Sequence, residues 1–232
     1  MRIKNLVLVS LICALPCISQ AQFGVSFGYQ SSDAPDWTFP NSVFQETGGF
    51  ESPGEMYSIG IDYWFRLKNR RIEFLPELNY SWSESDFLIS GNTIRTQFFS
   101  FFFNTNVYFL DLASDCDCPT FSKQNDFFKK GLFFQLSPGV TLPNFELTSD
   151  QNAEMGGISA SIGAGLGLDI GINDILTITP MIKARYFPEI NWQDNFPTGE
   201  IDSSGETIFA SQASRVWTYY AGIRFGFRFD DW

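Results

Sequence analysis

Apolar and polar residues alternate along the segment Val216–Phe229, close to the C-terminus. The odd-numbered positions are apolar: Trp217, Tyr219, Ala221, Ile223, Phe225, Phe227 and Phe229. The even-numbered positions include the glycines and arginines: Val216, Thr218, Tyr220, Gly222, Arg224, Gly226 and Arg228. A period of two predicts a β-strand with two different faces. The order aromatic, aliphatic, aromatic along the apolar face is typical of a strand that faces lipid, because Trp and Tyr favour the two membrane interfaces.

The same alternation predicts further strands along the chain. They are Gln22–Gln30, Met56–Leu67, Arg71–Ser83, Gln97–Leu110, Gly131–Leu142, Ile158–Ile172 and Ile175–Phe187. After the N-terminal segment, no apolar run approaches the roughly 18 residues of a transmembrane helix. A chain that enters a membrane without helices must pair all its backbone groups in a closed barrel. The sequence therefore predicts an all-β fold, a closed antiparallel transmembrane β-barrel of about eight strands in an up-and-down meander.

Short and long connections alternate, which is typical of a barrel with both termini on the periplasmic side. Tight turns are expected at 68–70 and 173–174, and longer polar loops at 31–55, 84–91, 143–157 and 188–213. The connection 111–130 is long where a short turn is expected.

Three prolines, Pro76, Pro138 and Pro180, stand between lipid-facing residues of predicted strands. Proline cannot donate to a β-ladder, and a closed barrel has no edge strand to hold it. We therefore expect a β-bulge at each of the three positions.

The first 21 residues have the features of a cleavable signal peptide. Arg2 and Lys4 precede the apolar stretch Leu6–Leu15, which is too short to span a bilayer, and Ser19-Gln20-Ala21 is a small-x-small cleavage signal. We expect residues 1–21 to be the signal peptide and residues 22–232 to form the barrel domain. The formal net charge of −11 disfavours nucleic acid, which needs a basic surface.

The predicted inward faces carry ionisable residues of both signs. They are Asp62, Arg66, Arg71, Glu73, Glu77, Asp169, Lys183, Arg185, Arg224 and Arg228. Such groups are costly in an apolar interior unless they are paired, and an eight-stranded barrel has room for little more than side chains. We therefore expect a salt-bridged network that fills the lumen, with a proton or ion path as the alternative. Phe98, Phe102 and Tyr108 also point inward, which keeps open a route for small hydrophobic molecules.

Candidate residues for catalysis and metal binding are few. The chain has no histidine, and Glu73 and Glu77 share their faces with arginines, so ion pairing is favoured over acid–base work. Once the signal peptide is removed, Cys116 and Cys118 are the remaining thiols. We expect a local disulfide there, with free thiols or a redox-active pair as alternatives. Two cysteines are too few for a zinc site, and no cofactor is expected.

The predicted outer loops are rich in acidic and aromatic residues. These are Asp33, Asp36, Glu46, Glu51, Glu84, Asp86, Asp150, Glu154, Asp194, Glu200, Asp202 and Glu206, with Trp37, Phe44, Phe50, Trp192 and Phe196. Their spacing does not fit a calcium loop. Ordinary solvated loops are the favoured interpretation. Divalent cations that bridge to lipopolysaccharide, or a protein partner, are the alternatives.

Several features together resemble the small, porin-like outer-membrane β-barrel proteins of Bacteroidota. They are the Gln20-Ala21-Gln22 junction, the rhythm of strands and loops, the Pro-Glu-Leu-x-Tyr stretch at Pro76–Tyr80 and the aromatic C-terminus. The resemblance covers nearly the whole mature chain and implies the outer membrane of a Gram-negative cell. It also implies that the C-terminal residues Phe225, Phe227, Phe229 and Trp232 form the signal read by the barrel-assembly machinery, although Asp230-Asp231-Trp232 breaks the alternation.

Two functions remain open at this point. The first is a non-enzymatic structural or interaction protein, with a plugged lumen and with loops presented to a partner. The alternative is a narrow pore or transporter for small or hydrophobic molecules.

Overall fold

The computed structural model describes residues 22–37, 54–67, 70–86, 93–110, 130–147, 154–155, 157–173, 175–201, 203 and 207–228. Eight long strands build the fold: β1 (Gln22–Asp33), β2 (Gly54–Tyr63, continued by Phe65–Arg66), β3 (Ile72–Asp86), β4 (Thr93–Val107), β5 (Leu132–Leu147), β6 (Ser159–Leu168, continued by Ile170–Gly171), β7 (Leu176–Ile201) and β8 (Thr207–Arg228). A short strand, Glu154–Met155, pairs with β5. Within these ranges no helix is long and apolar enough to cross a membrane.

The strands form a closed ring. Each strand pairs antiparallel with its neighbours in sequence, and β8 pairs with both β7 and β1. The closing ladder runs in one register from Gln22 opposite Arg228 to Asp33 opposite Trp217. This confirms the predicted closed antiparallel barrel with an up-and-down meander. We call the end where β1 begins and β8 ends the lower end, and the opposite end the upper end.

The two faces of the strands differ as the alternation predicts. Large apolar side chains lie exposed on the outer wall, including Ile61 and Ile162 at 60% and Leu78 at 68%. Aromatic residues bound this wall above and below. Ring contacts in the upper girdle include Tyr29–Tyr57 (5.9 Å) and Tyr186–Trp217 (4.7 Å). Contacts in the lower girdle include Phe23–Phe227 (5.8 Å) and Phe74–Phe103 (5.7 Å). An apolar band between two aromatic girdles is the outer surface of a transmembrane barrel.

The predicted loop at 188–213 is wrong, because strands β7 and β8 continue through most of it as a hairpin. Ile190 pairs with Ser214, Trp192 with Gln212 and Ile201 with Thr207. Register shifts interrupt this ladder after Phe187, Trp192 and Pro197. The hairpin extends above the lipid-facing band, where apolar and polar residues no longer alternate, so the sequence pattern does not reveal it.

The predicted bulges at the three prolines are also wrong. Pro76 pairs with Phe103 on one side. On the other side the ladder to β2 ends at Glu77 and resumes at Phe74 in the same register. The ladders beside Pro138 and Pro180 are likewise interrupted on one side without a register shift. Proline lacks one N–H, so the strand loses a rung towards one neighbour but needs no extra residue.

Candidate functional site

The lumen of the barrel is filled by inward side chains in three layers. The aromatic plug at the upper end consists of Trp37, Met56, Phe98, Phe145, Phe187, Ile190, Trp192 and Val216. The Glu77 layer, which contains Glu77, Lys183, Arg185, Asn79 and Asn104, occupies the middle. The Tyr108 layer, which contains Tyr108, Glu73 and Asp169, lies at the lower end. Each layer is built from residues that are distant in sequence and are brought together by ring closure.

The aromatic plug lies at the upper mouth of the barrel. Phe145 and Trp192 are stacked with their ring centroids 4.4 Å apart. Trp37 packs edge-on against both rings, at 5.4 and 5.7 Å. Phe98 adds contacts to Phe145 and Phe187. Every member of the plug is at most 5% exposed, so this layer has the packing of a hydrophobic core.

Asp36 ties the segment after β1 to strand β8 and so positions Trp37. The Asp36 backbone N–H donates to Ser214 Oγ (3.3 Å), and Gln212 Nε2 donates to the Asp36 carbonyl (2.8 Å). The Asp36 carboxylate accepts from the Arg215 backbone N–H and lies 3.4 Å from Arg215 Nε. The sequence predicts Asp36 to be part of a solvated loop, whereas these contacts hold it against strand β8.

Glu77 is the centre of the middle layer. Its carboxylate lies 3.5 Å from Lys183 Nζ, and it accepts hydrogen bonds from Asn104 Nδ2 (2.6 Å), Asn79 Nδ2 (3.1 Å) and Ser26 Oγ (3.4 Å). A buried carboxylate is tolerated when its charge and its lone pairs are both satisfied, and Glu77 meets both conditions.

Arg185 completes the Glu77 layer from strand β7. Its guanidinium carbon lies 3.7 Å from the centroid of the Phe102 ring and 5.9 Å from that of Tyr220. Arg185 is 3% exposed. A cation over aromatic faces is stabilised by the ring quadrupole, most strongly when water is excluded. Phe102, predicted to face inward, therefore covers a cation rather than an open path.

Asp62 and Arg224 form a bidentate ion pair across strand β1. Arg224 Nε and Nη2 donate to the two Asp62 oxygens at 2.7 and 2.6 Å. Gly24 of β1 stands between the two strands, and a Cβ there would lie 2.5 Å from the Arg224 guanidinium. Because Gly24 has no side chain, the Arg224 side chain can cross β1 and reach Asp62.

The Tyr108 layer combines two carboxyl groups with one phenol. Tyr108 Oη lies 2.6 Å from Glu73 Oε2 and is also hydrogen-bonded to Asp169 Oδ2. Trp64 Nε1 donates to Glu73 Oε2 (2.6 Å), and Thr179 Oγ1 donates to Asp169 Oδ1 (2.5 Å). Trp64 lies at the gap in the β2–β3 ladder near Pro76, and Asp169 lies at the gap in the β6–β7 ladder near Pro180.

Two further cations border this layer. The guanidinium of Arg71 lies 4.5 Å from the centroid of the Tyr108 ring and donates to the Lys130 carbonyl. Arg228 lines a cavity of about 50 Å³, together with Glu73, Asp169 and Arg224. That volume holds a few water molecules. Hollows of about 530 and 590 Å³ lie on the outer wall instead, beside residues such as Ile61 and Ile182.

Eight of the ten predicted lumen residues are buried, and Arg66 and Arg228 are half-buried. The structure brings together Asp62 with Arg224, and Glu77 with Lys183. Arg66 stands opposite Glu73 in the ladder between β2 and β3.

Sequence reasoning missed several lumen residues. The sequence pattern places Trp37 and Trp192 in outer loops, and it does not single out the polar partners Asn79, Asn104 and Trp64. Alternation alone marks Asn79 and Asn104 as inward-facing, but nothing in the sequence indicates that the two tryptophans fold into the mouth.

Some predicted sites lie outside the described residues: the signal peptide 1–21, Cys116, Cys118, Phe229 and Trp232. Phe225 and Phe227 are described, and their rings contact Phe27 (6.4 Å) and Phe23 (5.8 Å). In the part of the chain that the structure describes, no three His, Cys, Asp or Glu residues cluster as metal ligands would.

Comparisons with known proteins give structural likenesses. No protein-family model matches the chain, and no curated protein matches its sequence. Neisserial surface protein A is 8% identical with a TM-score of 0.45, covering 91% of this chain and 97% of that one. Ail, the attachment invasion locus protein of Yersinia pestis, in complex with sucrose octasulfate, is 11% identical with a TM-score of 0.43, covering 90% and 99%. A major outer membrane protein from Thermus thermophilus is 12% identical with a TM-score of 0.45, covering 90% and 99%. At these identities and TM-scores, the likenesses carry no conclusion about what this chain binds or does.

Proposed function

We propose that this protein is a non-enzymatic β-barrel of the Gram-negative outer membrane whose lumen is closed by its own side chains. It acts as a structural or interaction component through its upper loops. The observation that carries the proposal is the inverted distribution of side chains: apolar residues cover the outside, and paired charges with packed aromatics fill the inside.

The apolar outer wall supports membrane insertion. Isolated apolar side chains are common on soluble proteins, but a continuous apolar band around the molecule is not. Here the band is bounded by aromatic girdles and closed by strand pairing all the way round, which leaves no lipid-exposed edge. The lipid bilayer and lipopolysaccharide are therefore the proposed surroundings, with assembly by the barrel-assembly machinery. The signal peptide and an origin in Bacteroidota stay predictions.

The packing of the three layers supports a closed lumen. A pore would require the inward aromatics to line a gap. Instead, Phe98 packs within the aromatic plug, Phe102 covers Arg185 and Tyr108 binds two carboxyl groups. The Glu77 carboxylate lies between Lys183 and two asparagines. These groups hold one another rather than a substrate, which is also why we propose no catalytic role.

The upper end offers the surface for an interaction. The β7–β8 hairpin extends beyond the upper girdle, and the rim carries the exposed residues Glu84 and Arg95 and the half-buried Glu146. Arg95 Nη2 lies 2.6 Å from Glu84 Oε1, and its Nη1 lies 3.9 Å from Glu146 Oε2. The hydrogen bond and the charge of Glu84 raise the pKa of Arg95. A protein partner fits this mixed surface, whereas nucleic acid does not fit the acidic chain.

Conductance measurements test the closed lumen. We expect no steady current when purified barrel is inserted into a planar bilayer. A known open porin in the same bilayer serves as the positive control. Stable, ion-selective current from the wild-type protein would contradict the plug and favour the narrow pore.

Co-purification tests the interaction role. Membranes are solubilised gently, and proteins bound to tagged wild type are compared with those bound to a variant whose residues 193–211 are replaced by a two-residue turn. The new turn connects Trp192 directly to its ladder partner Gln212. We expect a partner to be lost with the shortened hairpin while the barrel stays folded. Identical bound proteins in both samples would argue against the hairpin as the docking surface.

A further inference from the structure

The Tyr108 layer contains three oxygen atoms in a row. Glu73 Oε2 lies 2.6 Å from Tyr108 Oη, which is in turn within hydrogen-bonding distance of Asp169 Oδ2. All three side chains are buried, with Glu73 4% and Tyr108 0% exposed. Nothing in the proposed structural role requires this arrangement.

The number of hydrogens in this row is set by the chemistry of the groups. A phenol has one hydrogen, so Tyr108 donates to only one of the two carboxyl oxygens. The second contact needs a hydrogen on the other carboxyl group, because two ionised carboxylates would otherwise place lone pairs and like charges against one another. Two carboxyl groups that share a site commonly hold one proton in this way.

The remaining contacts assign that proton to one residue. Glu73 Oε2 accepts a hydrogen from Trp64 Nε1 as well as from Tyr108, and an oxygen that accepts two hydrogens is best ionised. Asp169 Oδ1 accepts from Thr179, and a hydrogen on Asp169 Oδ2 that is donated to Tyr108 Oη completes the row. We propose that the lower lumen is a proton-binding site, in which Asp169 is protonated and is linked through Tyr108 to ionised Glu73.

Charged groups surround the site from several strands. Asp62 on β2 is already occupied by Arg224 on β8, through the bidentate pair. In the part of the chain that the structure describes, the other charged residues near this layer include Arg66 in the continuation of β2, Arg71 before β3, Lys130 before β5 and Arg228 on β8. These cations offset the single negative charge of the pair, but they do not supply the hydrogen that the second oxygen contact requires.

Infrared spectroscopy tests the proposal directly. A protonated carboxyl group has a C=O stretch that is separate from carboxylate bands and shifts in D₂O. We expect wild-type barrel in detergent to show this band at pH 7. The band should be lost in Asp169→Asn, whose amide can still donate to Tyr108 Oη and accept from Thr179. In Tyr108→Phe the band should instead shift in frequency, because the protonated carboxyl group loses the phenol oxygen that accepts its hydrogen.

The matched control is Glu84→Gln, because Glu84 is exposed and paired with Arg95, and this variant should keep the band. Absence of the band from the wild type at pH 7 would overturn the proposal without any variant having to fold. A band that survives in Asp169→Asn would place the proton on another group and would overturn the assignment.

The pH dependence of unfolding gives an independent measurement. At pH 7 an unfolded Asp is ionised, so folding takes up one proton at Asp169, and rising pH should favour unfolding. Relative to Asp169→Asn, the unfolding equilibrium constant of the wild type should rise about tenfold per pH unit. Parallel pH curves for the two proteins would count against the site. The result does not depend on whether the lumen conducts, so this proposal and the closed-lumen proposal can fail separately.

Discussion

The position of glycine decides which charges in the lumen can meet. Arg224 reaches Asp62 because Gly24 between them has no side chain. The alternation along the strands predicts that both charged residues point inward. It cannot predict the pair, since the partner depends on the register of three strands and on the space above the middle one. The same limit applies to Tyr108, whose role is visible only once Glu73 and Asp169 are brought beside it.

Replacing Gly24 with alanine should disrupt the ion pair that crosses β1. The new Cβ would lie 2.5 Å from the Arg224 guanidinium, which must then move off Asp62. The guanidinium is the flexible end of a long side chain and both partners remain, so we expect a loss of stability smaller than the roughly 3–5 kcal/mol of a buried pair that loses one partner. Refolding titrations in detergent measure it. Made in an Asp62→Asn background, the same substitution should cost much less, and an equal cost in both backgrounds would show that the ion pair is not the cause.

Removing the carboxylate of Glu77 should strand two cations in the middle layer. Lys183 would lose its ion pair and Arg185 its neighbouring negative charge, so we expect Glu77→Ala to destabilise by about 3–5 kcal/mol. Glu84→Ala is the control, since its exposed pair with Arg95 is screened by solvent and should contribute little. If Glu77→Ala costs no more than Glu84→Ala in denaturant titrations, the middle layer must be open to solvent.

For the strands, the sequence pattern predicts which residues share a face of the barrel wall, but it does not predict where β7 and β8 end. Alternation holds wherever one face meets lipid and the other the lumen, which is why the inward and outward residues were correctly separated. Above the upper girdle, both faces of the β7–β8 hairpin leave the lipid and the signal is lost. The prolines mislead for a related reason. A missing N–H suggests a bulge, whereas a ring of paired strands tolerates the loss of a rung without a shift in register.

Charged substitutions should separate the two faces of a single strand. Ile162 on β6 points outward and is 60% exposed, whereas its neighbour Ser161 points inward and is buried. Ile162→Arg should destabilise the barrel by about 2–4 kcal/mol if it lies near the bilayer midplane, and Ile61→Arg and Ile223→Arg should behave alike. Ser161→Asn should cost much less, because the lumen accepts polar groups. Refolding into lipid vesicles measures both, and equal costs would contradict the assignment of faces.

For the whole molecule, ring closure brings the inward side chains of all strands together in one core. No single strand buries a charge or an aromatic side chain. The aromatic plug, the Glu77 layer and the Tyr108 layer exist only because β8 returns to β1. The three layers lie in series along the barrel axis, so a passage requires all of them to open.

This serial arrangement predicts the behaviour of a barrel without its upper plug. Trp37→Ala combined with Trp192→Ala removes two large side chains from the mouth, while the pairs of Glu77 and Tyr108 below remain. We expect the double variant to lose stability, because each buried tryptophan typically contributes about 3–5 kcal/mol. It should still migrate differently on gels when unheated, as a closed barrel does, and should carry no steady current in a planar bilayer. A triple variant that adds Glu77→Ala to the double variant tests the middle layer. A triple variant that adds Glu84→Ala at the exposed rim is its control. Current from the double variant alone would mean that the middle and lower layers are wet, and the narrow-pore interpretation would then replace the plug.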